Sequence, residues 1–483
     1  MPFRIVLTPS GGAYFLPSES RLSKTPEISA LATTRNVYSV RCDGRLGMFP
    51  GTMEKESSGS TKTSSAGIAL CLSGGGFRAT LFHLGAVGRL NELGVLSRLT
   101  VITSVSGGSI LNGFLAARWS ELVRGADGVF SNFNDVIAAP LRRFCGRDLR
   151  TPLLFGTRLS PEKWPELMRS FGAVPANALA DAYQSLYRRA GLQELAAPAP
   201  GTTPRFVFCA TNVATGACWH FHGGPGSRMG DFYTGYTDTH SVSVAEAVAA
   251  SSAFPPGFAA LRLSVAGKDF SRVDPWGKER AASKKRKQVE PRRVSMTLLT
   301  DGGVYDNLGV EPVWNGFRCL LVSDAGQPFV SHENCRQTVV SRLKRAAEIS
   351  MEQVGAVRKR WLVASFKSGE RKGGLWAINT PLEDYELQDA QGYSAEGREL
   401  FAKIRTDLNA FSEGEIGCLE NHGYSLADAA MRSRAAALCP TPSAPFRWPD
   451  GNWCGDSDAR RALEMSGKRS VLRDVWRHLM RPG

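Results

Sequence analysis

The sequence predicts an α/β protein built on a mostly parallel sheet, and three features carry that expectation. From residue 67 onward, short apolar, β-branched runs alternate with stretches of helical periodicity. Strand, helix, strand, helix in that rhythm requires right-handed crossovers, and therefore parallel strands. The strand ends run into glycine-rich turns, the places where an α/β sheet holds its ligands.

The elements follow in order. Residues 51–66 (GTMEKESSGSTKTSSA) are rich in Ser, Thr and Gly and have almost nothing to bury, so they read as a linker closing an N-terminal segment, 1–66. A buried strand is expected at 67–73, a helix at 80–93, a strand at 99–105 and a second helix at 108–119. In the first helix Leu81, Leu84, Val87 and Leu90 recur at about the helical period. Further strands are expected at 204–211, 294–299 and 318–322, each ending in polar or Gly-rich turns. Residues 278–293 hold eight Lys or Arg against two acidic residues and read as an exposed insertion. A basic helix is expected over about 337–363, and the last 80 or so residues read as helical with Pro/Trp-rich breaks. The expected organisation is a core at 67–330 and a mainly helical region, 331–483, that packs on or completes it.

Composition sets the outer limits. The chain has 483 residues, 42% of them apolar and 22% charged, with 24 Phe, 10 Trp and 10 Tyr, which excludes a disordered chain. Its 50 Gly show no three-residue period, which excludes collagen. No apolar run approaches the roughly 18 residues of a membrane span. Met1 to Leu16 carry only Arg4 as a base and are broken by Pro9, Gly11 and Gly12, so a cytoplasmic protein without a cleaved signal is expected. Ten scattered Cys with no CxxC pair fit reduced thiols, with no metal and no cofactor implied.

Three strand-to-helix junctions carry chemistry. Ser73-Gly74-Gly75-Gly76-Phe77-Arg78-Ala79 lets backbone amides and a helix N-terminus approach an anion. It satisfies a dinucleotide fingerprint literally, as Gly74-x-Gly76-x-x-Ala79, but the next strand ends in Thr103-Ser104 without the acidic residue a ribose needs. No Gly-Lys-Ser/Thr follows, so it is not a P-loop. The second junction, Ser104-Val105-Ser106-Gly107-Gly108, has the form of a nucleophile elbow in which Ser104 replaces the usual first glycine. The third, Thr300-Asp301-Gly302-Gly303, ends a strand in a carboxylate. Together they supply an oxyanion hole, a nucleophile and a general base, the parts that acyl transfer requires. A Ser-Asp-His triad is the rival arrangement, with His422 and His478 downstream, whereas His83, His220 and His222 read as structural.

In these motifs the chain resembles the patatin-like phospholipases. Gly74, Gly75, Gly76 and Arg78 match the family's G-G-G-x-R/K loop, Ser106 its nucleophile, and Asp301-Gly302-Gly303 its D-G-A/G motif. Ala250-Ser251-Ser252-Ala253-Phe254-Pro255 matches its Ala-Ser-Ser-Ala-x-Pro pattern. The SGGGFRA wording is also similar to the related cytosolic phospholipase A2 catalytic domain. The resemblance covers about residues 67–325. It implies a three-layer fold, a central mostly parallel sheet with helices on both faces, extended here by a mainly helical C-terminal region. It further implies a Ser-Asp dyad in which Asp301 takes the proton of Ser106 directly, with an oxyanion hole formed by Gly74, Gly75 and Gly76 and by Arg78 nearby. An aspartate of ordinary pKa, about 3.9, is a weak base at neutral pH, so a desolvated Asp301 is expected.

The implied substrate is a membrane phospholipid ester, met at a membrane surface. The run Lys284-Lys285-Arg286-Lys287 and the overall charge of +14 would favour an anionic one. No aromatic interleaving or nucleic-acid motif accompanies that run, so no nucleic-acid partner is expected. The family also implies possible latency until a small-molecule or protein activator binds. A non-catalytic lipid- or nucleotide-binding regulator on the same fold is the alternative.

Overall fold

The computed structural model describes residues 3–7, 13–17, 65–153, 173–277, 295–329, 338–441, 444–464 and 466. The chain divides into two units, Met1–Thr63 and Ser64–Gly483. In the first, β1 (Phe3–Leu7) and β2 (Ala13–Pro17) form an antiparallel pair. The Ser/Thr-rich stretch up to residue 64 and the basic insertion, including Lys284 to Lys287, lie outside the described residues.

The second unit is organised by a ten-stranded sheet. Its strands are β3 (Ser65–Leu72), β4 (Leu99–Ser104), β5 (Arg205–Asn212), β6 (Ala217–His222), β7 (Arg228–Asp231) and β8 (Gly235–Asp238). They continue as β9 (Leu261–Ser264), β10 (Met296–Asp301), β11 (Phe317–Asp324) and β12 (Lys372–Ala377). The order is β12-β11-β3-β4-β5-β6-β7-β8, with β10 pairing β5 and β9 pairing β10. From β12 to β5 every pair is parallel, as the strand-helix rhythm predicts. Beyond β5 the chain turns back in tight hairpins, so β6, β7 and β8 extend the sheet as an antiparallel meander.

Side-chain alternation gives the sheet two cores. Leu70 and Leu72 of β3 join Leu81, Leu84 and Leu90 on one face, while Ala69 and Cys71 join Val310, Val313 and Leu362 on the other. Helices α1 (Gly76–Glu92), α2 (Gly107–Arg118) and α3 (Val244–Ser252) contribute to the first. Helix α4 (Val339–Lys367) supplies Leu362 to the second, so helices cover both faces. Helix α5 (Glu413–Arg434), from the C-terminal region, crosses α1 at two glycines. A Cβ at Gly85 would stand 1.8 Å from the Glu420 carbonyl oxygen, and one at Gly423 would stand 1.8 Å from that of Phe82. Arg89 of α1, itself buried, pairs with Asp428 of α5 at 2.7 Å and so fixes the crossing. Among the described residues no helix is long and apolar enough to cross a membrane.

Candidate active site

The site follows from strand register. β4 runs parallel to β5 until Ser104 stands opposite Phe208. β10 enters along the same edge of β5 from the other direction, antiparallel, until Asp301 stands opposite Ala210. The two strands therefore meet end to end, and the residues just past Ser104 face Asp301. Ser106 sits there at φ 48° and ψ −116°, a backbone conformation that non-glycine residues rarely adopt. The glycines after it are required by contact: a Cβ on Gly107 would lie 2.1 Å from the Gly76 carbonyl oxygen, and one on Gly108 would lie 2.6 Å from that of Leu72.

A buried hydroxyl cluster holds the turn. The Ser106 amide donates to Ser251 Oγ at 2.9 Å, and Ser251 Oγ donates to the Cys209 carbonyl at 2.6 Å. Ser109 Oγ bridges Ser251 and Ser104, 2.9 Å from each hydroxyl. Ser104, the departure from the glycine of the usual elbow, also accepts from Asn112 at 2.9 Å and donates to the Val207 carbonyl at 3.2 Å. The substitution therefore places a satisfied hydroxyl beneath the turn and leaves the elbow backbone intact.

Asp301 is 2% exposed. Its Oδ1 accepts the Gly303 amide at 2.7 Å, and the nearby Ser106 hydroxyl also favours the charged carboxylate. Burial penalises the charged carboxylate more than these two donors favour it, and its pKa is pushed up to about 7.

The glycine loop lies directly over Ser106: a Cβ on Gly74 would be 3.1 Å from Ser106 Cβ and 2.4 Å from Asn307 Oδ1. Gly75 and Gly76 take φ of 143° and 58°, and among the described residues their amides donate to no protein group. Two expected members of the oxyanion hole are engaged elsewhere. The Gly74 amide donates to the Asn307 carbonyl at 3.1 Å. Arg78, completely buried, donates to the carbonyls of Ile404 and Ala325, each at 2.8 Å. Its charge is turned into the packing between α1 and the C-terminal region, so Arg78 acts as a strut for the loop.

The histidines are placed as structural groups. His83 is buried between Ser323 Oγ at 2.7 Å and the Ser73 carbonyl at 3.0 Å, and burial lowers its pKa to about 4. His422 is likewise buried and lowered to about 4; it stacks on Phe401 at 4.1 Å and contacts the Ile378 carbonyl at 2.7 Å. His220 and His222 lie on β6, with rings 6.1 Å apart, and His478 is outside the described residues. Neither Ser251, inside the Ala250–Pro255 motif, nor Asn307, four residues past Gly303, stands out in the sequence. Their partners lie far away along the chain, and no local pattern reports such a contact. A cavity of about 230 Å³, lined by Arg205, Arg228 and Asp274, lies toward the amino end of β5 and away from Ser106.

By sequence, residues 70–314 match the family described as patatin-like phospholipase, more than half of the chain. The chain belongs to this lipid-hydrolase family. Among solved structures, human GIVD cytosolic phospholipase A2 is similar at a TM-score of 0.40 and 11% identity, over 82% of this chain and 60% of that one. VipD from Legionella pneumophila is similar at a TM-score of 0.31 and 15% identity, over 76% of this chain and 67% of that one. This chain thus spans about three-fifths of the human protein's length. No curated protein matches by sequence.

Proposed function

We propose that this chain is a serine acyl hydrolase that cleaves ester bonds of membrane phospholipids, with Ser106 as nucleophile and Asp301 as general base. The observation that carries the reading is the end-to-end meeting of β4 and β10 on β5, which faces an elbow serine with a buried carboxylate whose pKa is pushed up to about 7. At that value the carboxylate can accept the serine proton near neutrality and still release it. Ser106 Oγ attacks the ester carbonyl as its proton passes to Asp301. The oxyanion is held by the amides of Gly75 and Gly76, each worth about 3 kcal/mol in the transition state. The tetrahedral intermediate collapses to an acyl-enzyme and the alcohol leaves with the proton from Asp301. Water then attacks the acyl carbonyl, Asp301 again taking the proton, and Ser106 is regenerated with release of the fatty acid.

The enzyme would work as a peripheral protein at the cytoplasmic membrane surface, and latency until an activator binds is part of the same reading. A fluorophosphonate probe on wild type and Ser106→Ala, with and without anionic vesicles, tests it. Labelling of wild type alone supports an activated Ser106. Absence of labelling under every condition, while vesicles are still bound, would mean either a latent chain that needs its activator or the non-catalytic lipid-binding alternative.

A further inference from the structure

Helix α4 is too long for what it packs against. Its C-terminal part lies beside the sheet: Leu362 shares a core with Leu320 and Val322 of β11, and Lys359 pairs with Asp324, at the carboxyl end of that strand, at 2.6 Å. The helix thus runs antiparallel to β11, and the 20 residues back from Lys359 to Val339 extend about 30 Å past the strand end. This is the edge of the sheet that carries the glycine loop, since the Ala325 amide, one residue on, donates to Ser73 Oγ at 2.8 Å.

The projecting part is apolar along one side. Val339 is 62% exposed, Leu343 67% and Val354 42%, and with the exposed Ala346 and Ala347 they fall on one stripe at helical spacing. Trp361, eighteen residues or about five turns after Leu343, lies at the same angle but is half-buried and stacks on Trp314 at 6.3 Å, so the stripe ends where the helix meets the protein body. Of the thirteen large apolar side chains exposed among the described residues, five belong to this helix, and Val339, Leu343 and Val354 of these lie on the stripe. Cations line one side of the stripe. Arg342 and Arg360 are also eighteen residues apart and lie along one border, both exposed, and Arg345 sits over the exposed Phe329 ring at 4.4 Å. The helix carries seven Lys or Arg against two Glu.

We propose that this face of α4 is the membrane-docking surface, taking an anionic phospholipid bilayer and setting the carboxyl edge of the sheet against it; the inference rests on the lipid-hydrolase reading. Charge complementarity selects the occupant. An apolar stripe bordered by cations suits acyl chains below anionic headgroups, whereas two copies of the helix laid together would bring like charges face to face.

Sedimentation with phosphatidylcholine vesicles, with and without phosphatidylglycerol, tests it on the full chain. Leu343→Asp/Val354→Asp and Arg342→Glu/Arg360→Glu change exposed positions, and their melting temperatures verify folding. Wild type should bind the phosphatidylglycerol vesicles, and each folded double variant should bind them about tenfold more weakly or worse. Wild-type binding by both variants, or no vesicle binding by wild type, overturns the docking surface. So does concentration-dependent dimerisation that the variants abolish while vesicle binding persists. Wild-type turnover of a water-soluble short-chain ester separates the two claims. Turnover without vesicle binding ends the docking proposal alone, and docking lost in the variants with no turnover by wild type ends the reading of a hydrolase active without an activator and leaves the docking surface standing.

Discussion

A carboxylate of ordinary pKa, about 3.9, would hold too little affinity for a serine proton at neutral pH. Burial at the end of β10 pushes Asp301 up to about 7, and two consequences follow. The proposed mechanism needs the charged form, so kcat/KM should rise with pH through about 7 and level off above it, read as a pH-rate profile on a soluble ester. Stability runs the other way. The folded chain holds this proton more tightly than the unfolded chain, so the contribution of Asp301 is fully present below the ordinary carboxylate range and is lost as pH rises through about 7. Asp301→Asn should therefore be inactive yet melt several degrees higher than wild type at pH 8, the gap closing by pH 4. A variant that melts lower than wild type at pH 8 would show that the carboxylate is held charged by donors, against this account. Ser251 acts one step behind. Ser251→Ala removes the acceptor of the Ser106 amide and should lower kcat by about 10- to 100-fold with little change in KM, at a stability cost of about 1–3 kcal/mol. Slower fluorophosphonate labelling of Ser106 would report the same loss without substrate.

At the scale of elements, what was legible depended on whether the information was local. β3, α1, β4 and α2 were readable because each is a short apolar run or a helical period bounded by glycine. Even so, α1 begins at Gly76 rather than at residue 80: glycine's poor helix propensity hides this first turn in the sequence, and the contact of Gly76 and the Phe77 amide with Asp407 holds it in place. β12, with sequence KGGLWA, was not legible: two glycines weaken the strand signal, yet a Cβ at Gly373 would lie 1.9 Å from the Leu320 carbonyl oxygen. Ser106 and Asp301 were recognisable as motif residues. Their meeting depends on β10 pairing antiparallel with β5 ahead of β4, a register that no local pattern encodes. The α1–α5 crossing is equally non-local, and it predicts opposite effects for two glycine changes. Gly423→Ala must push the helices apart and should cost more than about 3 kcal/mol in denaturant melts. Gly355→Ala in α4 meets nothing within 4 Å and should be neutral or stabilising by up to about 1 kcal/mol.

For the whole molecule, those contacts decide which parts the hydrolase core needs. The crossing helix α5 comes from beyond the segment that carries the family's motifs, yet it closes one face of α1 through the Gly85 and Gly423 contacts and the Arg89–Asp428 pair. Arg78 draws a second tie from the glycine loop to Ile404, and the Phe77 amide, at the loop's end, donates to the Asp407 carbonyl at 3.1 Å. The C-terminal third is therefore part of the support for the Gly75 and Gly76 amides, the oxyanion donors of the proposed mechanism. Met1–Thr63, by contrast, forms its own unit. Two truncations should then behave in opposite ways. A chain lacking residues 1–60 should keep a cooperative melt and label with fluorophosphonate at Ser106. A chain ending at residue 412 loses α5, leaves Leu81, Leu84 and their neighbours without cover on that side, and should be recovered aggregated or without a cooperative melt. If the chain ending at residue 412 instead melted cooperatively and labelled at the wild-type rate, the loop would be held by the sheet alone, and the ties through Arg78 and Asp407 would have no part in positioning Gly75 and Gly76.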